Sequence, residues 1–191
     1  MEQAKGDMIM LQSVLRSALR FPALATIVLA AGFGSAGFVP AGAAEEWRTY
    51  HNARFGLVVD VPADFQPGME PANGDGLSFF SPDGHGAITA YGGFWGVTQP
   101  DFGAYRSALV TGDRESGLDV TYQETGEDWF VYSGILGGDI VYQRVEIATG
   151  CSGDIALHVR LVYPREAKEA WDPVVARAAG SLAAGAGLEC D

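Results

Sequence analysis

The chain is short of positive charge and of the residues that most site chemistry uses. Of 191 residues only 12 are Lys or Arg, three are His and two are Cys, against 24 Asp and Glu, leaving a formal charge of −12. So acidic a protein repels phosphate backbones and anionic lipid headgroups, which excludes nucleic acid and points to neutral or basic partners. His51, His85 and His158 stand singly, with no H-E-x-x-H or paired-His spacing, so neither a metal site nor a cofactor is expected. There is no G-x-S-x-G elbow, and Gly150-Cys151-Ser152-Gly153 falls where a hairpin turn is expected. The enzymatic alternative is an acid pair in a cell-wall or other small hydrolase, but this many carboxylates guarantee neighbours in any fold. The preferred reading is non-catalytic.

One long apolar run is present, Phe21 to Val39, preceded by Lys5, Arg16 and Arg20 and followed by Pro40-Ala41-Gly42-Ala43-Ala44. That is the layout of a secretory signal peptide over residues 1–44. Small side chains at the third and first positions before the cut come from Ala41 and Ala43, or one residue later from Gly42 and Ala44. The mature chain then starts at Ala44 or Glu45. Met8 or Met10 as the true start would shorten only the basic tail. A retained membrane anchor is the alternative, disfavoured by the glycines, the prolines and the cleavage-like exit; no Cys follows the run to carry a lipid.

Residues 45–191 have the size of one domain with a single core. The leader takes three of the basic and two of the acidic residues, so the mature chain carries −13. Cys151 and Cys190 both belong to it, and in an oxidising compartment they have one possible intramolecular pairing. Such a disulfide closes a loop of about 40 residues, worth roughly 3 to 4 kcal/mol in the chain-entropy account.

Strand patterns dominate from Trp47 to Tyr163. Phe55 to Val61 is rich in β-branched residues and stops at Pro62, and a Pro/Gly/Asn/Asp loop runs on to Gly76. Leu77–Ser81 and His85–Tyr91 flank the turn Ser81-Pro82-Asp83-Gly84. Phe102, Tyr105 and Leu109 share one helical face, predicting a helix from Asp101 to Gly117. Strands follow at Asp119–Thr125, Trp129–Ser133, Asp139–Ile147 and Ile155–Tyr163, then a helix from Arg165 to Ala184 with a stripe of Trp171, Val174, Val175, Ala178 and Leu182. Pro173 should kink that helix or restart it at Asp172, a good N-cap. Antiparallel strands with two covering helices make an α+β layered sandwich.

With the last hairpin turning near Cys151, Ile147 faces Ile155, Val145 faces Leu157, Arg144 faces His158 and Tyr142 faces Arg160. Tyr142, Arg144, His158 and Arg160 then form one polar stripe, either a seat for a carboxylate or acidic partner or an ordinary solvated sheet face. Phe94 and Trp95 in Gly92-Gly93-Phe94-Trp95-Gly96 offer a contact patch if exposed and close the core if folded inward, the favoured reading. Trp47, Trp129 and Trp171 are assigned to the core. Asn73-Gly74-Asp75-Gly76 suggests a calcium loop, but on the EF-hand template the first and twelfth ligand positions fall on Pro71 and Pro82, so a polar turn is expected.

Asn52-Ala53-Arg54-Phe55-Gly56-Leu57 leading into Val61-Pro62-Ala63-Asp64-Phe65, then Asn73-Gly74-Asp75-Gly76-Leu77-Ser78-Phe79, Ser81-Pro82-Asp83-Gly84 and Leu161-Val162-Tyr163-Pro164 before a terminal helix, resembles small exported proteobacterial proteins with a PsbP-like layout. The resemblance spans about Trp47 to Leu182 and rests on turn and core signatures. It implies a PsbP-like antiparallel sheet between helices, and a non-enzymatic domain that docks onto other proteins as the photosystem extrinsic proteins do. The sequence thus predicts a monomeric periplasmic or secreted binding or accessory domain of the cell envelope. Two outcomes check the processing: protein recovered from the envelope fraction should begin at Ala44 or Glu45 by terminal sequencing, and reduction should lower its melting temperature by opening the Cys151–Cys190 bridge.

Overall fold

The computed structural model describes residues 46–148 and 155–185. The leader, Cys151 and Cys190, and residues 149–154, where the last hairpin turn is expected, lie outside the described residues. β1 (Trp47–His51) and β2 (Leu57–Pro62) form an antiparallel hairpin. Asn52 makes its corner: the side-chain oxygen accepts from the Phe55 amide at 2.9 Å and the side-chain amide donates to the Gly74 carbonyl at 2.8 Å. In β2 the alternation Leu57, Val59, Val61 buries one complete face.

The larger sheet has seven antiparallel strands: β3 (Gln66–Pro67), β4 (Gly76–Phe80), β5 (Ala87–Phe94), β6 (Asp119–Thr125), β7 (Trp129–Leu136), β8 (Asp139–Ala148) and β9 (Ile155–Pro164). Their spatial order is β3-β4-β5-β9-β8-β7-β6, so the last long strand lies in the middle. The β4–β5 turn closes as its residues predict. Ser81 Oγ accepts from the Gly86 amide at 2.9 Å, and Gly84 takes the positive φ of 73° the turn requires.

α1 (Phe102–Glu115) is capped by Asp101, whose carboxylate accepts from the Ala104 amide at 2.7 Å. It ends in a Schellman pair, Leu118 to Asp113 and Gly117 to Arg114, with Gly117 at φ 100°. α2 (Lys168–Ser181) follows one 3₁₀ turn at Arg165–Ala167. Of the two outcomes expected at Pro173, a kink or a restart, the restart does not occur: Asp172 does not cap a new helix. It lies inside α2 and pairs with Lys168 at 2.8 Å, one turn back. The turn before Pro173 is held by packing: the Trp171 indole stacks on Tyr163 at 4.8 Å and meets Phe65 edge-on at 5.6 Å. The helix also stops earlier than its apolar stripe, because Leu182 turns extended and β10 (Ala183–Ala184) joins β2 in a three-stranded sheet, order β1-β2-β10.

Three layers result. Leu157, Val159, Leu161 and Tyr163 of β9 pack with β2 and α2 on one side of the large sheet. Ala156 of the same strand joins Val141, Val145, Phe130 and Val110 under α1 on the other. This two-sided burial overturns the predicted hairpin register. β8 pairs Val145 with His158, Gln143 with Arg160, Tyr142 with Leu161 and Arg144 with Val159, a slip of one residue. Because opposite residues share a face, the slip sends His158 and Arg160 toward α1 and leaves Tyr142 and Arg144 on the α2 side. β9 alternates, but β8 mixes polar and apolar side chains on both of its faces, Gln143 beside Val141 and Val145 on one and Tyr142 and Arg144 beside Ile140 on the other, so alternation leaves the register between them open.

Gly92 and Gly93 test this packing as neighbours. A Cβ at Gly92 would stand 2.3 Å from Phe55 Cγ, close to the root of a buried ring that cannot swing away, whereas one at Gly93 meets nothing within 4 Å. Gly92→Ala should cost about 1 to 3 kcal/mol in urea unfolding. Gly93→Ala should leave stability unchanged or slightly raise it.

Candidate functional site

The residues proposed from sequence separate into two groups on opposite faces of the large sheet. On the α1 face His158 is completely buried and stacked on Tyr91, ring centroids 4.3 Å apart. Its Nε2 meets the Tyr105 hydroxyl at 3.0 Å and its Nδ1 meets the Gln143 amide at 3.3 Å. Arg160 fixes the orientation of that amide. A guanidinium only donates, and it lies 3.2 Å from Gln143 Oε1, so the Gln143 nitrogen must face His158. Nδ1 therefore accepts, and Nε2 carries the proton toward Tyr105. Burial holds the imidazole neutral, its pKa lowered to about 3. No carboxylate touches the ring, so this is a satisfied core histidine.

Arg160 reaches on to Asp113 of α1, at 2.7 Å to Oδ2 and 3.4 Å to Oδ1, and the same carboxylate accepts from the Tyr132 hydroxyl at 2.8 Å. Burial raises the pKa of both phenols near this network, Tyr105 to about 12 and Tyr132 further because Asp113 adds to it. Both remain protonated at neutral pH, Tyr132 donating to Asp113 and Tyr105 accepting from the imidazole. Sequence reasoning missed Asp113, although its helical spacing from Leu109 and Val110 sets an acid on the apolar stripe of α1.

Tyr142 and Arg144 keep company with a different set. Across the outer strands, Tyr122, Ser133 and Tyr142 form one row, and Glu124, Val131 and Arg144 the next. Arg144 lies over the Trp129 ring, 4.7 Å from its centroid, and pairs with Glu146 at 2.5 Å. Trp129, assigned to the core from sequence, is half-buried beneath this guanidinium, and Trp47 is likewise half-buried under Arg177 at 4.5 Å; Trp171 is buried as expected.

Beside the Tyr122–Tyr142 row the sheet and α2 enclose a cleft of about 500 Å³. Ile135, Ile140 and Val175 give it apolar walls, Tyr122, Tyr142 and Tyr163 its aromatic ones, and Arg165 and the Lys168–Asp172 pair stand at the helix end. Burial raises the Tyr142 and Tyr163 phenols, so both stay neutral. Chemically this is a recess for an apolar or aromatic side chain with polar groups around its mouth. Its one carboxylate is already held by Lys168.

Trp95 stands apart from both groups. It packs edge-on against Phe102 at 5.7 Å, covering the α1 core, while Phe94 leans on Phe55 and remains half exposed. The Asn73–Gly76 loop folds its polar groups onto itself: Asn73 donates to Asp75, and Asp75 pairs with Arg54 at 2.7 Å. Among the described residues no three His, Cys, Asp or Glu side chains converge, and no helix is long and apolar enough to cross a membrane.

No protein-family model matches the chain, and no curated protein sequence matches it. Solved structures do. The solution structure of cyanobacterial PsbP (CyanoP) from Synechocystis sp. PCC 6803 matches with a TM-score of 0.54 at 11% identity, covering 78% of this chain and 97% of that one. The crystal structure of the Saccharomyces cerevisiae Ran-binding protein Mog1p matches with a TM-score of 0.55 at 8% identity, covering 77% of this chain and all of that one, 100%. At such identities the likeness defines the fold: PsbP- and Mog1-like α+β, as the turn and core signatures imply.

The buried His158 generates a pH test. Its folded pKa lies below that of the unfolded chain, so the unfolded state takes a proton first and stability falls as pH drops from about 6.5 toward about 3. NMR of the His158 ring should show a neutral Nε2–H tautomer with no titration through pH 6.5. A ring that titrates there refutes the assignment. His158→Gln should remove that part of the acid destabilisation.

Proposed function

We propose that the chain is an exported, non-catalytic docking module of the cell envelope, and that it binds a neutral or basic partner through the face carrying Tyr122, Trp129, Tyr142 and Arg144 beside the tyrosine-walled cleft. The observation that carries this reading is that face itself: half-buried and exposed aromatics, an Arg laid over a Trp, and an adjoining recess. Tyr, Trp and Arg are the side chains that anchor protein interfaces, because each combines large contact area with a polar tip. The fold supports the same direction, since the Mog1p structure it resembles is described as a Ran-binding protein. The leader-like residues 1–44 support export, and the acidity of the rest favours basic or neutral contacts.

His158 and Arg160, joined to this surface by the expected register, are not part of the proposal. They tie α1 to the sheet from the other side.

The test is cross-linking in the envelope fraction of cells expressing the native chain or a Tyr142→Ala/Arg144→Glu variant, each first shown to melt alike. The native chain should give a discrete cross-linked species at Tyr122 or Trp129 that the variant loses. Equal cross-linking in both assigns docking elsewhere, and a chain left unprocessed in the cytosol removes the envelope from the proposal.

A further inference from the structure

The two edges of the seven-stranded sheet are built differently. β3 exposes only Gln66 and Pro67, and proline has no amide to offer, so that edge is closed to a further strand. β6 runs seven residues, Asp119 to Thr125, almost wholly exposed, with neither proline, lysine nor arginine. Among the described residues it pairs only with β7. The bulge between Val120 and Tyr122 bends its start and leaves Tyr122 to Thr125 in regular pairing.

The charges beside this edge are sorted by face. Asp119, Tyr122 and Glu124 lie on the cleft side, opposite Ile135, Ser133 and Val131. On the α1 side Arg106 donates to Thr125, and Arg114 shares a notch with Gln123. A strand laid along β6 would therefore meet carboxylates and the half-exposed Tyr122 ring with one set of its side chains, and guanidiniums with the other.

We propose that β6 receives an extended segment of the partner protein as an eighth strand, with basic side chains alternating toward Asp119 and Glu124 and small neutral ones toward α1. This rests on the docking reading above and names how the partner sits. Backbone pairing supplies the adhesion and the face-sorted charges supply the choice of guest. A second copy of this chain is the poorer guest, because each processed copy brings −13.

The probe is an eight-residue peptide alternating Lys with Thr, capped at both ends, added to the processed full chain while amide exchange is followed by NMR. Exchange should slow selectively within Asp119–Thr125. Methylating the peptide nitrogens along one edge should abolish the effect, and methylating those of the other edge should leave it. A second peptide with Glu in place of each Lys should bind several-fold more weakly, and Asp119→Lys/Glu124→Lys should reverse that order. The proposal is overturned by no protection in β6, by binding indifferent to N-methylation, or by protection that rises with protein concentration alone, which would make a second copy the guest. The envelope cross-link separates this failure from that of the docking reading: if Tyr142→Ala/Arg144→Glu loses the partner and Asp119→Lys/Glu124→Lys keeps it, the face stands and the edge mode falls.

Discussion

The register between β8 and β9 is the constraint on which the rest depends. β9 lies at the centre of the large sheet and is buried on both faces, so each of its side chains is committed to one of two cores. Pairing Val145 with His158 gives Leu157, Val159, Leu161 and Tyr163 to α2 and the small sheet, and Ala156, His158 and Arg160 to α1. A shift by one residue would put His158 and Arg160 among the leucines and valines of β2 and α2. Two polar side chains would then be buried without partners, and each such loss costs more than a typical hydrogen bond contributes.

The α1 interface shows what makes those polar residues tolerable. Burial alone disfavours the charge on Arg160, yet its pKa is raised, because the hydrogen bonds and charge of Asp113, joined by the nearby phenols, outweigh that burial. His158 takes the opposite course and remains neutral, its two nitrogens divided between an acceptor role toward Gln143 and a donor role toward Tyr105. The chain of contacts from Tyr91 through His158, Gln143 and Arg160 to Asp113 sets α1 at one position along the sheet. Apolar contacts at Val110 and Phe102 could slide by a turn; a bidentate arginine cannot. The network thus has a structural task, and that task separates it from the aromatic face behind the sheet.

Most of the architecture was legible in the sequence because its signals are local. Asp101 and Gly117 bracket α1, Ser81 to Gly84 make their turn, and the long strands are rich in β-branched and aromatic residues. What could not be read locally was pairing. β8 mixes polar and apolar residues on both of its faces, so the alternation of β9 finds no matching one to fix the register, and the four-residue polar stripe anticipated from it does not exist. β10 has two residues and no pattern of its own, and it exists because β2 presents an edge at the place where α2 ends. The cleft was equally hidden. Tyr122, Tyr142 and Tyr163 come from three strands and Arg165 from a turn, and only the sheet order brings them together. Tyr142 and Arg144 were singled out from sequence together with His158 and Arg160, and the observed register parts the two pairs.

The distribution of charge bears on the one long edge that, among the described residues, has no further strand beside it. Natural sheets commonly blunt an edge with lysine, proline or brevity, and β3 uses the last two. β6 uses none of the three. Its protection against pairing with its own kind is the acidity of the chain, spread over the surface and reinforced at Asp119 and Glu124. That protection differs in kind from a proline, which refuses every guest. Net charge disfavours only guests of the same sign, which is why the proposed guest is a basic strand rather than another copy. The scarcity of Lys and Arg, which first appears as a gap in the composition, is the condition on which the proposed selectivity of the edge rests.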